Sequence, residues 1–164
     1  MNFYALAPRL KNEAQRQAAV DRYGLAKRRP ERAQPLVERV AELFGTQVGV
    51  ATVIDRNRQV VSAAKGMEMH AVERDISFCG HAIANPDEIM CVFDAALDPR
   101  FAGNPLVQRT PRIRFYVGLP LVTPCGQPFG ALCAIDSLPR ARLLPEQTHE
   151  LRELGRQITA TMLN

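Results

Sequence analysis

The sequence predicts an α+β domain, a sheet assembled from two separate hairpins with helices from both chain ends packed against it. Three observations carry this. The hydrophobic period changes from helical to alternating at Gly45. Two pairs of β-rich runs follow, QVGVATVIDRNRQVVSAAKG and RIRFYVGLPLVT with QPFGALCAID, each closed by a polar turn. Both faces of these strands are apolar, so the sheet needs a cover on each side.

The first helix is expected in NEAQRQAAVDRYGL, with Asn12 as its cap, Ala18, Ala19 and Leu25 bracketing Tyr23, and Gly24 as its stop. It forms an N-terminal helical extension, residues 1–30, ahead of a main domain over residues 31–164. The second helix, PLVERVAELFG, opens on Pro35 and repeats Leu36, Val37, Val40, Leu43 and Phe44 on one face before Gly45 ends it. In the first hairpin Val48, Val50, Thr52 and Ile54 alternate with Gly49, Ala51 and Val53, and DRNR makes the turn. In the second, Ile113, Phe115, Val117 and Leu119 alternate with Arg114, Tyr116 and Gly118, and Phe129, Ala131, Cys133 and Ile135 with Gly130, Leu132 and Ala134. Between the hairpins lie a polar loop, the segment ISFCGHAIAN, a short strand in EIMCVFD and the proline-rich DPRFAGNPLVQRTPR. Such stretches wrap over sheets and carry function, so the site belongs there. The last helix, PEQTHELRELGRQITATMLN, places Leu151, Leu154, Ile158 and Met162 in a narrow seam, suited to the domain's own helices or to a second copy.

Composition narrows the function classes. With 46% hydrophobic and 23% charged residues in 164, the chain is built to bury a core without staples. Its formal charge of +4 leaves 21 basic residues offset by 17 acidic ones, with much of the excess in AKRRPERAQP. No aromatic-interleaved basic motif accompanies it, so nucleic acid is not an expected partner. No long apolar run marks a leader or a membrane helix, which points to the cytoplasm and to reduced cysteines at 79, 91, 125 and 133. None of these lies near another in sequence, and His70, Cys79, His81 and Cys91 do not have zinc-site spacing, so no metal is expected.

Within ISFCGHAI, Ser77 can cap a helix that starts at Phe78, which places the Cys79 thiol in its first turn and lowers its expected pKa. Nucleophilic catalysis would also need a base in reach, and His81 points elsewhere on a helix. Cys91 and Cys133 read as core, and Cys125 as an exposed turn residue. Between Asp98 and Asp136 there is no carboxylate, while Arg100, Arg109, Arg112 and Arg114 are present, a rim that would suit an anionic ligand or remain solvated.

The runs NEAQRQAAVDRYGL, RDISFCGHAI, VFDAALDPRFAGNPLV and RIRFYVGLPLVTPCGQPFGALCAID, in this order, closely resemble the GAF domains that occur alone in bacteria or ahead of histidine kinase and diguanylate cyclase modules. The resemblance implies a central antiparallel sheet of about six strands, terminal helices on one face, and short helices and loops over the other. It implies a non-catalytic sensor in signal transduction, reading a small molecule or redox state, with no enzymatic activity and with a kinase or cyclase output partner. The ligand pocket would draw on Phe78, Cys79, His81, Phe101, Arg112, Arg114, Tyr116 and Leu132. A homodimer through the terminal helices would carry the signal, the loop from Asp98 to Arg114 shifting Leu151, Leu154 and Ile158 at the seam.

One branch of the family is enzymatic, the free methionine-(R)-sulfoxide reductases, in which a cysteine in a VCG motif is essential; FCG is similar, making Cys79 the catalytic residue of that alternative. The branch's other cysteines fall where this chain has Met69 and the neighbourhood of Gly103. The bilin and cyclic-nucleotide motifs of the family find no match. The sequence names no cofactor.

Overall fold

A computed structural model of the chain describes residues 3–164. Helices α1 (Glu13–Arg22) and α2 (Ala33–Phe44) lead into strands β1 (Val48–Asp55) and β2 (Arg58–Lys65). Then come β3 (Val72–Glu73), α3 (Phe78–Ala82), β4 (Met90–Val92), α4 (Pro105–Gln108), β5 (Phe115–Val122), β6 (Pro128–Asp136) and α5 (Pro145–Leu163). The six strands make one antiparallel sheet in the order β3-β2-β1-β6-β5-β4. The β1–β6 pairing joins the two hairpins, so the most apolar strands lie at the centre, where both faces are dry.

Alternation distributes side chains to two cores. Ala51, Val53, Phe115, Val117, Leu119, Leu132 and Ala134 meet Val37, Val40 and Phe44 of α2 and Leu151, Leu154, Ile158 and Met162 of α5. On the opposite face Val50, Ile54, Tyr116, Ala131 and Cys133 meet Phe78, Cys79, Phe101, Val107 and Ile113. The α5 seam is therefore spent inside its own chain. With those side chains 0–6% exposed, a dimer through Leu151, Leu154 and Ile158 would need α5 to leave its place on the sheet.

Several local expectations change. Asn12 does not cap α1 with its side chain; its amide reaches Gln127 Oε1 at 2.8 Å. Helix α2 starts two residues before Pro35. The polar loop after β2 contains β3, paired to Arg58 and Gln59. The second hairpin starts later than its alternation suggests, at Phe115, because Arg112 has a left-handed backbone (φ 59°) that no continuous strand adopts. Ile113 thus falls on the covered face, opposite to Phe115. A bulge where Leu121 faces Gly130 but Val122 faces Pro128 turns Phe129 away from Ala131 and into the terminal-helix core.

The sequence reading also missed two fully buried arginines, Arg16 and Arg74. Both grip Glu13: Arg74 Nη1 and Nη2 donate at 2.6 and 3.0 Å, and Arg16 Nε and Nη2 at 3.1 and 3.2 Å. Arg16 Nη1 also donates to Ile54 O at 2.9 Å, and Arg74 Nη1 to Arg56 O at 3.1 Å. This network ties α1, the end of β1 and the turn before α3 together. Buried guanidinium groups need such partners, and of these two Arg74 keeps one donor, Nε, without any.

Two predictions follow from the packing. A Cβ at Gly49 would stand 2.0 Å from Val37 O, so β1 lies against the α2 backbone itself. Gly49→Ala should destabilise by about 1–3 kcal/mol, read as a lowered urea midpoint at unchanged m. The second concerns acid. Burial acts to raise the Glu13 carboxyl, but the hydrogen bonds from Arg74 and Arg16 outweigh it and bring the pKa from 4.5 to about 2. Its contribution is thus present above 4.5 and lost as pH falls toward 2. Across that window the wild type should lose stability more steeply than Glu13→Gln in urea titrations.

Candidate functional site

The covering elements are shaped by their own hydrogen bonds. Ser77 Oγ accepts from Gly80 N at 3.0 Å and donates to Arg74 O at 2.7 Å, so the expected cap on α3 is present. In DPRFAGNPLV, Asp98 accepts from the Arg100 backbone at 2.9 Å, and its carbonyl takes Phe101 N and Ala102 N. Asn104 caps α4 through Leu106 N at 2.8 Å and donates to Ile76 O at 3.0 Å. These two folded turns press Phe101 flat on Phe78, with ring centroids 4.1 Å apart, and the Phe78 ring leans on Tyr116 at 5.3 Å. Residues 3–7 run along the outside of this cover: Ala5 N donates to Arg100 O, Ala7 N to Asp75 O and Gly103 N to Phe3 O.

Under the cover is a cavity of about 40 Å³, lined among others by Val50, Thr52, Gln59, Phe78, Cys79, Ile113, Tyr116 and Cys133. It has room for a few water-sized atoms and not for an organic metabolite. Its polar groups converge. Tyr116 donates its hydroxyl to Cys79 Sγ at 3.3 Å, and Cys79 Sγ lies 3.6 Å from Cys133 Sγ. Thr52 donates to Ala131 O at 3.4 Å, and Gln59 Oε1 is buried without a partner. Space for the tyrosine comes from Gly118, where a Cβ would stand 2.2 Å from the Tyr116 hydroxyl.

Burial acts to raise the Cys79 pKa, but its hydrogen bonding with Cys133, Thr52 and Tyr116 outweighs it and leaves the thiol below its ordinary value. Cys133 is pushed well above its ordinary value by its hydrogen bond with Cys79 and by burial. Of the two sulfurs, Cys79 ionises first and Cys133 keeps the proton between them. Tyr116 is held protonated by burial and by the two sulfurs beside it.

The other residues singled out in the sequence are placed differently. His81 points away from Cys79; its Nε2 pairs with Ala5 O at 3.2 Å and its ring meets the edge of Phe101 at 4.8 Å. Burial keeps that imidazole below its ordinary pKa. Leu132 faces the terminal-helix core, on the far side of the sheet from the cavity. Arg114 donates to Val107 O at 2.9 Å and Ile113 O at 3.0 Å. Arg112 is exposed, and Arg100 pairs with Asp98 at 2.8 Å while lying over the Phe101 ring. The arginines do not converge on one rim. Gly80 meets Ala7 rather than the sheet, since a Cβ there would stand 2.8 Å from Ala7 Cβ. Met69 is exposed, and no cysteine stands near it or Gly103 in sequence.

Sequence reasoning missed Cys133 as the neighbour of Cys79. The available signal was its place on the same strand face as Ala131 and Ile135, with Gly118 directly opposite. All four cysteines are free thiols. Among the described residues no group of three or more His, Cys, Asp or Glu could hold a metal ion, and no helix is long and apolar enough to cross a membrane.

Comparison with known proteins places this architecture. The chain is 36% identical over 157 residues, 95% of its length, to a cyclic di-GMP phosphodiesterase of Pseudomonas aeruginosa. It spans 27% of that relative's length. This corrects the expectation that the chain stands apart from enzymes, since the relative is named as one. That expectation came from the resemblance to sensor domains and from the lack of the reductase branch's further cysteines near Met69 and Gly103. Among solved structures, the GAF domain of an Acinetobacter phosphoenolpyruvate-protein phosphotransferase superposes with a TM-score of 0.63 at 16% identity, covering 91% of each chain. A type II free methionine-R-sulfoxide reductase from Thermoplasma acidophilum gives 0.65 at 15%, covering 84% of this chain and 94% of that one. The GAF domain of PixJ from Thermosynechococcus elongatus gives 0.61 at 18%, covering 91% and 85%. These three share the fold. The GAF domain model matches residues 28–162, and the chain belongs to the GAF domain family of signal-transduction sensors.

Proposed function

We propose that the chain is the sensory part of a cyclic di-GMP signalling protein, reading a small molecule or redox state on the covered face of its sheet and acting on turnover of that nucleotide. The observation that carries this reading is the 36% identity to a cyclic di-GMP phosphodiesterase across 95% of the chain, covering both cores. A cytoplasmic location is part of the proposal, since cyclic di-GMP turnover is the output.

A route from cavity to output is supported by strand alternation. Tyr116 faces the cavity, while its neighbours Phe115 and Val117 pack in the core that holds α5. A shift of Tyr116 along β5 therefore moves residues on the other face, because a pleated strand shifts as a unit. Partnering of a second copy through α5 belongs to the same proposal. With the seam buried, it would engage the outer residues Arg152, Arg156 and Ala160.

The test is the cyclic di-GMP level, measured by mass spectrometry, in the native host carrying the wild-type gene, a deletion or Thr52→Val. Thr52→Val removes a polar wall of the cavity at nearly unchanged shape. The deletion should change the nucleotide level and Thr52→Val should move it part of the way. An identical level in wild type and deletion overturns the reading.

A further inference from the structure

We propose that Cys79 and Cys133 form a dithiol that hydrogen peroxide or a comparably small hydroperoxide oxidises to a disulfide inside the folded chain. The two sulfurs stand 3.6 Å apart, 54 residues apart in sequence, one on α3 and the other on β6. They are 2% and 0% exposed, and both line the cavity of about 40 Å³. That volume admits a molecule of two oxygen atoms and excludes a bulky peroxide or a protein oxidant. Peroxide size is thus the selectivity of the site. Cys91 and Cys125 line no part of the cavity, so they do not compete for the second sulfur.

The geometry divides the roles. Tyr116 donates to Cys79 Sγ at 3.3 Å, which favours the thiolate there, whereas Cys133 is within reach of the carbonyl of Val50 at 3.6 Å. The Cys79 thiolate attacks one peroxide oxygen, an S–O bond forms and the O–O bond breaks. The departing hydroxide takes up the proton that had left Cys79, giving water and a Cys79 sulfenic acid. The Cys133 sulfur then attacks the Cys79 sulfur; the S–S bond forms, the S–O bond breaks, and the hydroxyl leaves as water with the Cys133 proton. Two thiols and one peroxide become one disulfide and two waters, two electrons passing from sulfur to oxygen. The sulfurs close from 3.6 Å to a bonded distance of about 2.05 Å. α3 is drawn toward β6, and Tyr116 loses the thiolate that accepted its hydrogen bond.

The chemistry stands on this chain alone, while its signalling consequence rests on the sensory reading above. The purified 164-residue chain is treated with equimolar hydrogen peroxide, unfolded in urea with N-ethylmaleimide, and peptide-mapped by mass spectrometry. Labelling should fall from four thiols per chain to two, with a linked peptide pair containing Cys79 and Cys133, and return to four after dithiothreitol. Cys79→Ala and Cys133→Ala should each abolish the linked pair, and Tyr116→Phe should slow its formation several-fold at neutral pH with the rate recovering at higher pH. Four labelled thiols after peroxide, a link through Cys125 between two chains, or Cys79 accumulating as sulfinic acid overturns the proposal. A linked pair with no change in host cyclic di-GMP on gene deletion overturns the sensory reading alone. A deletion effect without the linked pair overturns the dithiol alone.

Discussion

The constraint on which everything else depends is that the central strands β1, β6 and β5 are buried on both faces. A strand in that position has no wet side on which to place a polar group, so each polar atom must be satisfied by a neighbour. Thr52, Tyr116 and Cys133 occupy such positions, and each has a partner: Ala131 O, the Cys79 sulfur and the Val50 carbonyl. Gly118 leaves space for the Tyr116 side chain to lie along the sheet beside the cavity. One missing Cβ therefore sets the direction of the hydroxyl that meets Cys79.

The same demand explains the arginine network at the edge of the fold. Arg16 and Arg74 are as buried as the core leucines, yet they carry charge into it. Glu13 neutralises part of that charge, and the carbonyls of Ile54 and Arg56 take further donors. These are the carbonyls at the β1–β2 turn, which the sheet ladder leaves open. The guanidinium groups do for the end of the sheet what a cap does for a helix, and they tether α1 to the turn that begins the cover over the cavity.

How much of this was legible in the sequence depended on the range of the interaction. The period change at Gly45, the DRNR turn and the Ser77 cap are local signals, and the structure has the corresponding elements. The motif runs carried the family and hence the six-stranded sheet. Phe129 and Ile113 were placed on the wrong faces because a bulge and a left-handed residue reverse alternation, and both depend on the partner strand or the preceding loop. Leu132 was assigned to the pocket, although its own alternation with Ala131 and Cys133 put it on the other face. The seam on α5 was readable as apolar, but a period of that kind does not say whose core it fills. The burial of Arg16 was invisible for the same reason as the Cys133 contact: Glu13 is a local partner, but the acceptors of Nη1, Ile54 O and Pro128 O, lie 38 and 112 residues away.

The two-faced sheet also gives a physical meaning to sensing in a cavity too small for a metabolite. A site of about 40 Å³ cannot gain much contact energy from a bound molecule, so a non-covalent ligand of that size has little differential affinity with which to bias a conformational equilibrium. A covalent bond across the same space does not meet that limit. Its length is fixed by sulfur chemistry, and the 3.6 Å separation must shorten whatever the surroundings prefer. Cys133 sits on β6 between Leu132 and Ala134, which pack with α2 and α5, while Cys79 sits under the stacked Phe78 and Phe101. Closing the two sulfurs sets the cover against the terminal-helix core through a strand that has no free surface on which to relax. In a densely packed sheet the displacement must appear on one side or the other, in the cover with the residues 3–7 that run along it or in the core that holds α2 and α5.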